Sequence, residues 1–272
     1  MLAGMRPSPV AIFVIGAVVT AAAVGVSAKR ASGASDAVLE DGLPLPVDAP
    51  AYGFSAVMRV NGVAVLEATR DFTMALPNGP VKGVAPTPAR AHDVERILQR
   101  ELARYPHGYF AKVNLAGVVL ADELVENEAP IPSLPNVARL LLLDVHAAEL
   151  DLVRAIHHEI WHFTDLADDG TLAPDPAWRA LNAPGTLYGS GGRSLRSTWA
   201  ARPSEDLPGF VSPYATAGEE EDKAETFAFV VTGRKLPNDA IVQAKVRELR
   251  RRLSGIDDEA PSKLGFDHAS PR

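Results

Sequence analysis

The chain contains no cysteine. This absence excludes disulfides, cysteine-ligated zinc sites, iron–sulfur clusters and thiol nucleophiles together. Any metal ion that the protein binds must therefore be held by nitrogen and oxygen ligands. The absence does not indicate a cellular compartment, because exported proteins without disulfides are ordinary in bacteria.

The chain also lacks an excess of basic residues. Its 27 Lys and Arg against 34 Asp and Glu give a net charge of −7, which argues against a nucleic-acid partner because no basic stripe offsets it. The longest basic cluster, Arg250–Arg252, falls on an expected C-terminal helix and is interpreted as a solvated face. Apolar residues make up 47% of the 272 residues, enough for the packed core of one sizeable domain or two small ones.

Only the N-terminus contains a long run without charges. Arg6 precedes the apolar run from Val10 to Val26, which small residues at 27 and 28 follow. This order predicts a signal peptide or, because the run is long, an uncleaved membrane anchor over residues 1–28. We therefore expect an exported protein that is periplasmic, secreted or membrane-anchored. Residues 29–50 are small, polar and proline-rich, which predicts a linker.

The patterns in residues 51–255 predict one α+β domain in which a sheet packs against one side of a long helix. The first expected elements are a hairpin over Ser55–Thr69 around Asn61-Gly62 and a helix over Ala91–Arg104. Two strands follow, within Ala111–Leu120 and Ala138–Val145, and a loop with Pro130, Pro132 and Pro135 separates them. The remaining elements are a long helix over Ala147–Ala167, loops over Asp169–Pro208 with one short helix near Trp178, and helices over Glu219–Val231 and Asn238–Ser254. Residues 256–272 are expected to form a disordered tail.

The long helix contains the pattern H-E-x-x-H, as His158-Glu159-Ile160-Trp161-His162. Two imidazoles at positions i and i+4 lie one turn apart on the same face of a helix, close enough to share one zinc ion (Zn2+). Glu159 follows at about 100° round the helix, where its carboxylate can take a proton from a water molecule as a general base. The apolar positions fall at roughly 120° to 200° from His158, so the histidines are expected on the side opposite the core. Those apolar positions are Leu152, Ile156, Ile160 and Phe163.

A hydrolytic zinc site needs a third protein ligand and an open position. The best candidates lie on the expected helix Glu219–Val231, where Glu221 and Glu225 are again four residues apart. Glu221 near the helix start can point at the metal, and Glu225 can accept a hydrogen bond from the free N–H of a ligand histidine. Alternatively, the acidic residues only complement the helix dipole, which explains Glu219 and Glu220 better than Glu225.

The sequence H-H-E-I-W-H followed by Y-x6-E-x3-E-x-F resembles the gluzincin branch of zinc peptidases and is similar to the catalytic domain of anthrax lethal factor. The resemblance covers roughly residues 139–231, and the long connection between the motifs differs. It implies a zincin-like α+β domain with a small sheet packed on the H-E-x-x-H helix and a mostly helical C-terminal part. It also implies that His158, His162 and Glu221 bind zinc while Glu159 is the general base. In the same family pattern, Glu225 supports the ligands and Tyr214 donates a hydrogen bond to the developing oxyanion.

A rival third ligand lies within the first motif. Metzincins carry H-E-x-x-H-x-x-G-x-x-H or D, and Asp168 stands at the last position. However, Asp165 occupies the glycine position, which must turn the chain back toward the metal. Asp165 fits better as a hydrogen-bond acceptor behind the ligands or as a solvated residue. His157 is interpreted as a packing residue, and residues 189–192 (G-S-G-G) as a flexible loop near the cleft.

The leading hypothesis is an exported zinc-dependent metallopeptidase that acts on a peptide or protein with zinc as its cofactor. One alternative is a metal-binding but non-catalytic cell-surface binding module, although the glutamate between the histidines argues against a purely structural site. Another is a zinc hydrolase of a non-peptide amide, such as a cell-wall component. Specificity depends on loop shape, so the sequence predicts no particular substrate, cleavage preference or oligomeric state.

Overall fold

The computed structural model describes residues 49–76, 79–137, 139–198 and 207–269. Within these ranges the strands are β1 (Phe54–Val60), β2 (Val63–Ala68), β3 (Phe72–Leu76), β4 (Gly79–Val84), β5 (Gly117–Glu126), β6 (Ala129–Pro130), β7 (Ser133–Val137) and β8 (Leu140–Asp144). The helices are α1 (Pro88–Leu102), α2 (Tyr109–Lys112), α3 (Glu149–Asp169), α4 (Pro176–Arg179), α5 (Glu219–Val231), α6 (Ala240–Ile256) and α7 (Ala260–Lys263). Short 3-10 turns occur at Pro50–Tyr52, Gly192–Thr198, Tyr214–Thr216 and Phe266–His268.

The expected N-terminal hairpin is present. Strands β1 and β2 pair antiparallel up to Val60 opposite Val63. Asn61 and Gly62 between them have φ angles of 48° and 84°, the left-handed conformations that make Asn-Gly a preferred two-residue hairpin turn. The Asn61 side-chain amide donates to the carbonyls of Leu102 at 3.3 Å and Tyr105 at 3.0 Å, which fixes the turn to the end of α1.

Strand β5 belongs to two sheets. Its first half pairs parallel with β2 and β8, and β7 pairs antiparallel with β8, so the larger sheet has the order β1-β2-β5-β8-β7. Its second half pairs antiparallel with β4 and β6, and β3 lies beyond β4. The central position of β5 explains its apolar sequence, because a strand with neighbours on both edges and cover on both faces is buried along most of its length.

The larger sheet packs on α3, and α5 contacts α3 as well. The four leucines of β8 alternate between two hydrophobic clusters: Leu141 and Leu143 join the cluster that contains α3 and α5, whereas Leu140 and Leu142 join the cluster on the opposite face. The principal cluster includes Val63, Val118, Ile156, Ile160, Trp161, Phe227 and Leu249. The described elements after β8 are all helical. The predicted mixed α+β class is therefore confirmed.

The strand expected within Ala111–Leu120 is wrong in its first half. Residues 109–112 form α2, and Asn114 has a φ of 61°, a left-handed conformation that interrupts a regular element. The strand begins only at Gly117 and continues to Glu126. Val113 and Leu115 are buried in the core without belonging to a strand, which explains why their apolar character suggested one.

The proline-containing loop expected between the two strands is also partly wrong, because it includes β6 and β7. Strand β6 is two residues long, and β7 is the outer strand of the larger sheet within the described residues. Prolines are tolerated at such positions because an edge strand does not need every N–H for pairing. Strands β3 and β4 were not predicted.

The prediction of a disordered tail over residues 256–272 is wrong as far as residue 269. Helix α7 and a 3-10 turn follow α6, and Leu264 and Phe266 are buried in the principal cluster. The Phe266 ring stacks on that of Phe227 with 5.9 Å between centroids. Ala260, Leu264 and Phe266 all belong to the principal cluster, which holds this segment on the domain.

The predicted signal peptide or anchor over residues 1–28 lies outside the described residues, as does nearly all of the linker expected over 29–50. Among the helices within the described ranges, none combines the length and the apolar character that crossing a membrane requires.

Candidate metal centre

Helix α3 carries the H-E-x-x-H motif through the interior of the domain. Its first turn contains Glu149 and Asp151, whose charges favour a helix N-terminus, and Gly170 with a φ of 76° ends it. His158, Glu159 and His162 are only 1%, 6% and 5% exposed. Buried polar groups of this kind are costly unless they find partners, so the surroundings of these three side chains define the site.

Helix α5 brings Glu221 to the two histidines. His158 Nε2 lies 2.9 Å from Glu221 Oε2 and 3.2 Å from His162 Nε2, and His162 Nε2 lies 3.8 Å from Glu221 Oε2. A tetrahedral zinc ion with bonds near 2.0–2.1 Å holds its ligand atoms roughly 3.3 Å apart. The three atoms thus form a triangle of the size of one face of a zinc coordination tetrahedron.

The donor atoms fit a divalent cation. Within the described residues, Glu159 Oε2, which lies 3.9 Å from His162 Nε2, is buried without a hydrogen-bond partner, and an unsatisfied buried polar atom costs about 1–3 kcal/mol. Two imidazole nitrogens and a carboxylate oxygen that converge in this way suit zinc, which prefers nitrogen and oxygen donors in the absence of thiolates. The site is therefore chemically suited to the metal that the motif predicts.

Glu159 is the nearest competitor of Glu221 as a metal ligand. Ligand atoms of His158, Glu159 and His162 lie within 4.8 Å of one another, and Glu159 Oε2 is 3.9 Å from His162 Nε2. We favour Glu221 because its Oε2 lies 2.9 Å from His158 Nε2 and 3.8 Å from His162 Nε2, so that one oxygen approaches both imidazoles. Ser133 on β7 donates a hydrogen bond of 2.6 Å to the other oxygen of Glu159, which holds that carboxylate beside the histidines.

Burial raises the pKa of Glu159 to about 7, against the opposing effects of His158 and Ser133. A general base is most effective when its pKa lies near the operating pH. The environment of Glu159 therefore suits proton transfer near neutrality.

Glu225 lies directly behind His158. The His158 Nδ1–H donates to Glu225 Oε1 at 3.0 Å, and Ser212 Oγ donates to Oε2 at 2.5 Å. Arg154, one turn before His158 on α3, donates from Nε to Oε1 at 3.1 Å and pairs with Oε2 through Nη2. Burial opposes ionisation, but His158 and Arg154 outweigh it and lower the pKa of Glu225 to about 2. An ionised acceptor at this place fixes the tautomer and orientation of the histidine.

The two histidines differ in their affinity for protons. Burial lowers the pKa of His158, but hydrogen bonds with Glu221 and Glu225 outweigh that effect and raise it to about 10. Burial lowers the pKa of His162 to about 4. A metal ion must displace the proton on His158 before that imidazole can be a ligand, so metal affinity is expected to fall as the pH falls.

Asp165 is placed differently from the prediction. It does not lie behind a ligand histidine but forms an ion pair of 2.6 Å with the buried Lys223 of α5. Lys223 also contacts Asp175 at 3.1 Å, and Arg252 lies 2.8 Å from the same aspartate. Asp165 stays near the histidine face of α3, at about −20° from His158, but it lies farther along the helix, where Lys223 of α5 and Arg252 of α6 face it. The cluster is a set of buried ion pairs, with Lys223 and Arg252 as its cations.

Asp168, the rival third ligand, pairs with Arg252 at 3.5 Å. It is not among the residues that approach the imidazoles within the described ranges. His157 is a packing residue, as predicted: its Nε2–H donates to Glu101 at 3.0 Å, and the Tyr105 hydroxyl lies 2.8 Å from its Nδ1.

Tyr214 and the glycine-rich loop lie beside the donor triangle. The Tyr214 ring centroid is 5.8 Å from that of His158. The loop, which we name the glycine strap (residues 189–195), donates from Gly189 N–H to the Thr216 carbonyl at 2.9 Å. A β-carbon at Gly192 would collide with the Tyr214 hydroxyl and Glu221 Oε1, so a larger residue there would have to displace these two side chains. The loop that the sequence analysis placed near the cleft thus contacts Glu221 and Tyr214.

Three polar residues of the site were not predicted: Ser133, Arg154 and Ser212. Arg154 is the one for which the sequence contains a local signal, because an arginine one turn before His158 lies close to the same face of the helix. Ser133 and Ser212 come from β7 and from the segment before the Tyr214 turn, and no local pattern connects either of them with the motif.

Comparison of the chain with protein-family models, with curated proteins and with solved structures gave no match. Assignment of a function therefore depends on the geometry and the chemistry of the site itself.

Proposed function

We propose that this protein is a zinc-dependent metallopeptidase of the gluzincin type, with a zincin-like catalytic domain. The observation that carries the proposal is the approach of His158 Nε2, His162 Nε2 and Glu221 Oε2 to within 2.9–3.8 Å of one another. These atoms come from two helices, and Glu159 and Tyr214 lie beside them. In this proposal the three residues hold the metal, and Glu225 holds His158 in the orientation that a ligand needs.

Bound zinc supplies an acidified water molecule and polarises the carbonyl group that is attacked. Glu159 accepts the proton of the attacking water and later delivers it to the leaving amine. Its position is maintained by Ser133, whose hydroxyl donates to the oxygen that does not face the histidines. Tyr214 donates its hydroxyl hydrogen to the oxygen on which negative charge develops, as a preorganised oxyanion donor.

A peptide substrate is favoured over another amide by the position of β7. Its side chain at Ser133 contacts Glu159, and β7 is the outer strand of the larger sheet among the described residues. An extended peptide can bind to the edge of an outer strand through main-chain hydrogen bonds. Such pairing beside Glu159 would present a peptide bond to the proposed base.

Export forms part of the proposal through residues 1–28, whose charge and apolar pattern is that of a signal peptide or anchor. The proposed substrates are therefore peptides or proteins outside the cytoplasm.

The decisive variant is Glu159→Gln. It preserves the size of the side chain and removes the basic carboxylate, so zinc content should stay at one ion per chain while hydrolysis falls by about 10²–10⁴-fold. Hydrolysis would be measured by mass spectrometry on a diverse peptide library, and zinc by metal analysis. Glu128→Gln, an exposed glutamate paired with Lys82, is the matched control and should retain activity.

Undiminished hydrolysis by the Glu159→Gln protein would refute the mechanism. A wild-type protein that binds zinc but cleaves neither peptides nor cell-wall amides would be a non-catalytic binding module. Cleavage of cell-wall amides alone would replace the peptidase by an amidase.

A further inference from the structure

The candidate site is closed by its own chain. His162, Glu159 and Tyr214 are 5%, 6% and 8% exposed, and Gly192 of the glycine strap is buried against the site. A peptide bond, however, must reach Glu159 and the Tyr214 hydroxyl at the same time. Whatever covers these groups therefore controls access to them.

The glycine strap covers two groups of the candidate site, the Tyr214 hydroxyl and the Oε1 side of the Glu221 carboxylate. The backbone of Gly192 is packed so tightly on the Tyr214 hydroxyl and the Glu221 carboxylate that a single β-carbon would collide with both. Tyr214 is the proposed oxyanion donor and Glu221 the proposed third ligand. Because the strap lies against the Tyr214 hydroxyl, a substrate carbonyl that accepts from this hydroxyl would have to displace it.

The strap is held down at both ends. On one side, Gly189 N–H donates to the Thr216 carbonyl at 2.9 Å and Gly191 N–H donates to the Ala217 carbonyl at 2.7 Å. On the other side, Arg193 forms an ion pair with Glu126 at the end of β5. The Glu126 side chain is 2% exposed, whereas that of Arg193 is 49% exposed. Glu126, the buried partner, thus belongs to the sheet, whereas the half-exposed Arg193 guanidinium can be released to solvent.

We propose that the glycine strap is an autoinhibitory gate over the metal centre and that the Arg193–Glu126 ion pair is its latch. This inference rests on the proposed peptidase function and adds regulation of the same site. The resting chain holds the gate closed, and a substrate enters only when the latch opens. Because the arginine is half exposed, the latch is weakened by salt and by acidic groups that compete for the guanidinium.

The test uses the full chain with the single substitution Arg193→Ala. Loss of a half-exposed ion pair is worth about 1 kcal/mol, which corresponds to about a fivefold larger open population. Hydrolysis of the peptide library should increase by about that factor, and hydrogen exchange of the Gly189 and Gly191 amides should accelerate similarly. Glu126→Gln should have the same effect in both measurements.

Lys112→Ala is the matched control, because Lys112 forms a comparable ion pair with Asp257 in which the lysine side chain is 50% exposed and the aspartate 10%. It should change neither hydrolysis nor exchange in the strap. A second experiment uses the absence of cysteine from the natural chain. In the double variant Arg193→Cys, Glu126→Cys, a short bis-maleimide that joins the two cysteines should close the gate and reduce hydrolysis at least tenfold. Each single cysteine variant treated with the same reagent should remain active.

Lower hydrolysis in the Arg193→Ala protein would make the strap a substrate-binding element and overturn the proposal. Unchanged exchange at Gly189 and Gly191 would overturn the latch, and faster exchange with unchanged hydrolysis would overturn the gate. A wild-type protein without zinc and without hydrolysis would refute the peptidase function, while exchange would still report whether the latch holds the strap.

Discussion

Glu225→Gln tests the connection between the stability of the fold and the chemistry of the site. Glu225 accepts hydrogen bonds from His158 and Ser212 and forms a buried ion pair with Arg154. Glutamine keeps the size of the side chain but removes the negative charge. The variant therefore leaves the guanidinium of Arg154 buried without its counter-ion and weakens the hold on His158.

Two independent estimates give the magnitude. The pKa of Glu225 falls from 4.5 to about 2, and each pKa unit corresponds to about 1.4 kcal/mol, so ionised Glu225 contributes roughly 3 kcal/mol to the free energy of unfolding. Removal of one partner of a buried ion pair costs about 3–5 kcal/mol. The two agree near 3 kcal/mol. Loss of the acceptor behind a ligand histidine also weakens metal binding by about 10–100-fold.

The pH dependence follows from the sign of the pKa change. Because the pKa of Glu225 is lower in the folded chain, its contribution is fully present above pH 4.5 and is lost as the pH falls toward 2. Urea unfolding of metal-free wild type and variant should therefore show a difference of about 3 kcal/mol at pH 7 and a smaller one at pH 3. Zinc titration calorimetry measures the affinity. The exposed variant Glu128→Gln is the control and should lose less than about 1 kcal/mol. A difference below 1 kcal/mol at pH 7, or one that is the same at pH 3, would refute the reasoning.

Two further outcomes are expected. Phe266→Ala removes a buried ring that stacks on Phe227, and urea unfolding should show a loss of about 3–5 kcal/mol; a loss under about 1 kcal/mol would mean that the C-terminal segment is not part of the core. The rate constant kcat/KM should decrease as the pH is lowered, because protonation of Glu159 removes the carboxylate that acts as the base. Burial raises its pKa to about 7 and a bound cation lowers it again, so a pH–rate profile should place this limb at or below pH 7. A rate that increases as the pH falls below 6 would contradict the base assignment.

The features of the site that follow from helical geometry could be predicted from the sequence. The spacing of His158 and His162 is a local property of α3. The bounds of α5 match the prediction residue for residue, because a cluster of acidic residues before an apolar stripe marks a helix N-terminus. The approach of Glu221 to the histidines has no local signal, since the residues are 63 positions apart; it was expected from the need for a third ligand and from the family pattern.

Features that depend on distant partners could not be predicted in this way. From the sequence alone, Lys223 is expected to be a solvent-exposed charge on an acidic helix. In the structure it is fully buried against Asp165 and Asp175. Strands β3 and β4 are short, and Gly79, Pro80 and Gly83 weaken the local signal of β4. Pairing of β4 with β5 provides the hydrogen bonds that its own sequence does not indicate. Long-range pairing, rather than intrinsic propensity, decides these elements.

The double membership of β5 has a consequence for how the domain assembles. Its partners lie both earlier and later in the chain, from Ala64 in β2 to Asp144 in β8, so neither sheet acquires its central strand until distant segments have met. Such non-local closure slows the search for the native topology and couples the two sheets in one cooperative transition. The same strand ends at Glu126, the anchor of the glycine strap. The step that completes the sheets therefore also puts Glu126, the proposed latch residue, into place, and under that proposal a newly folded molecule would already have its candidate metal centre covered.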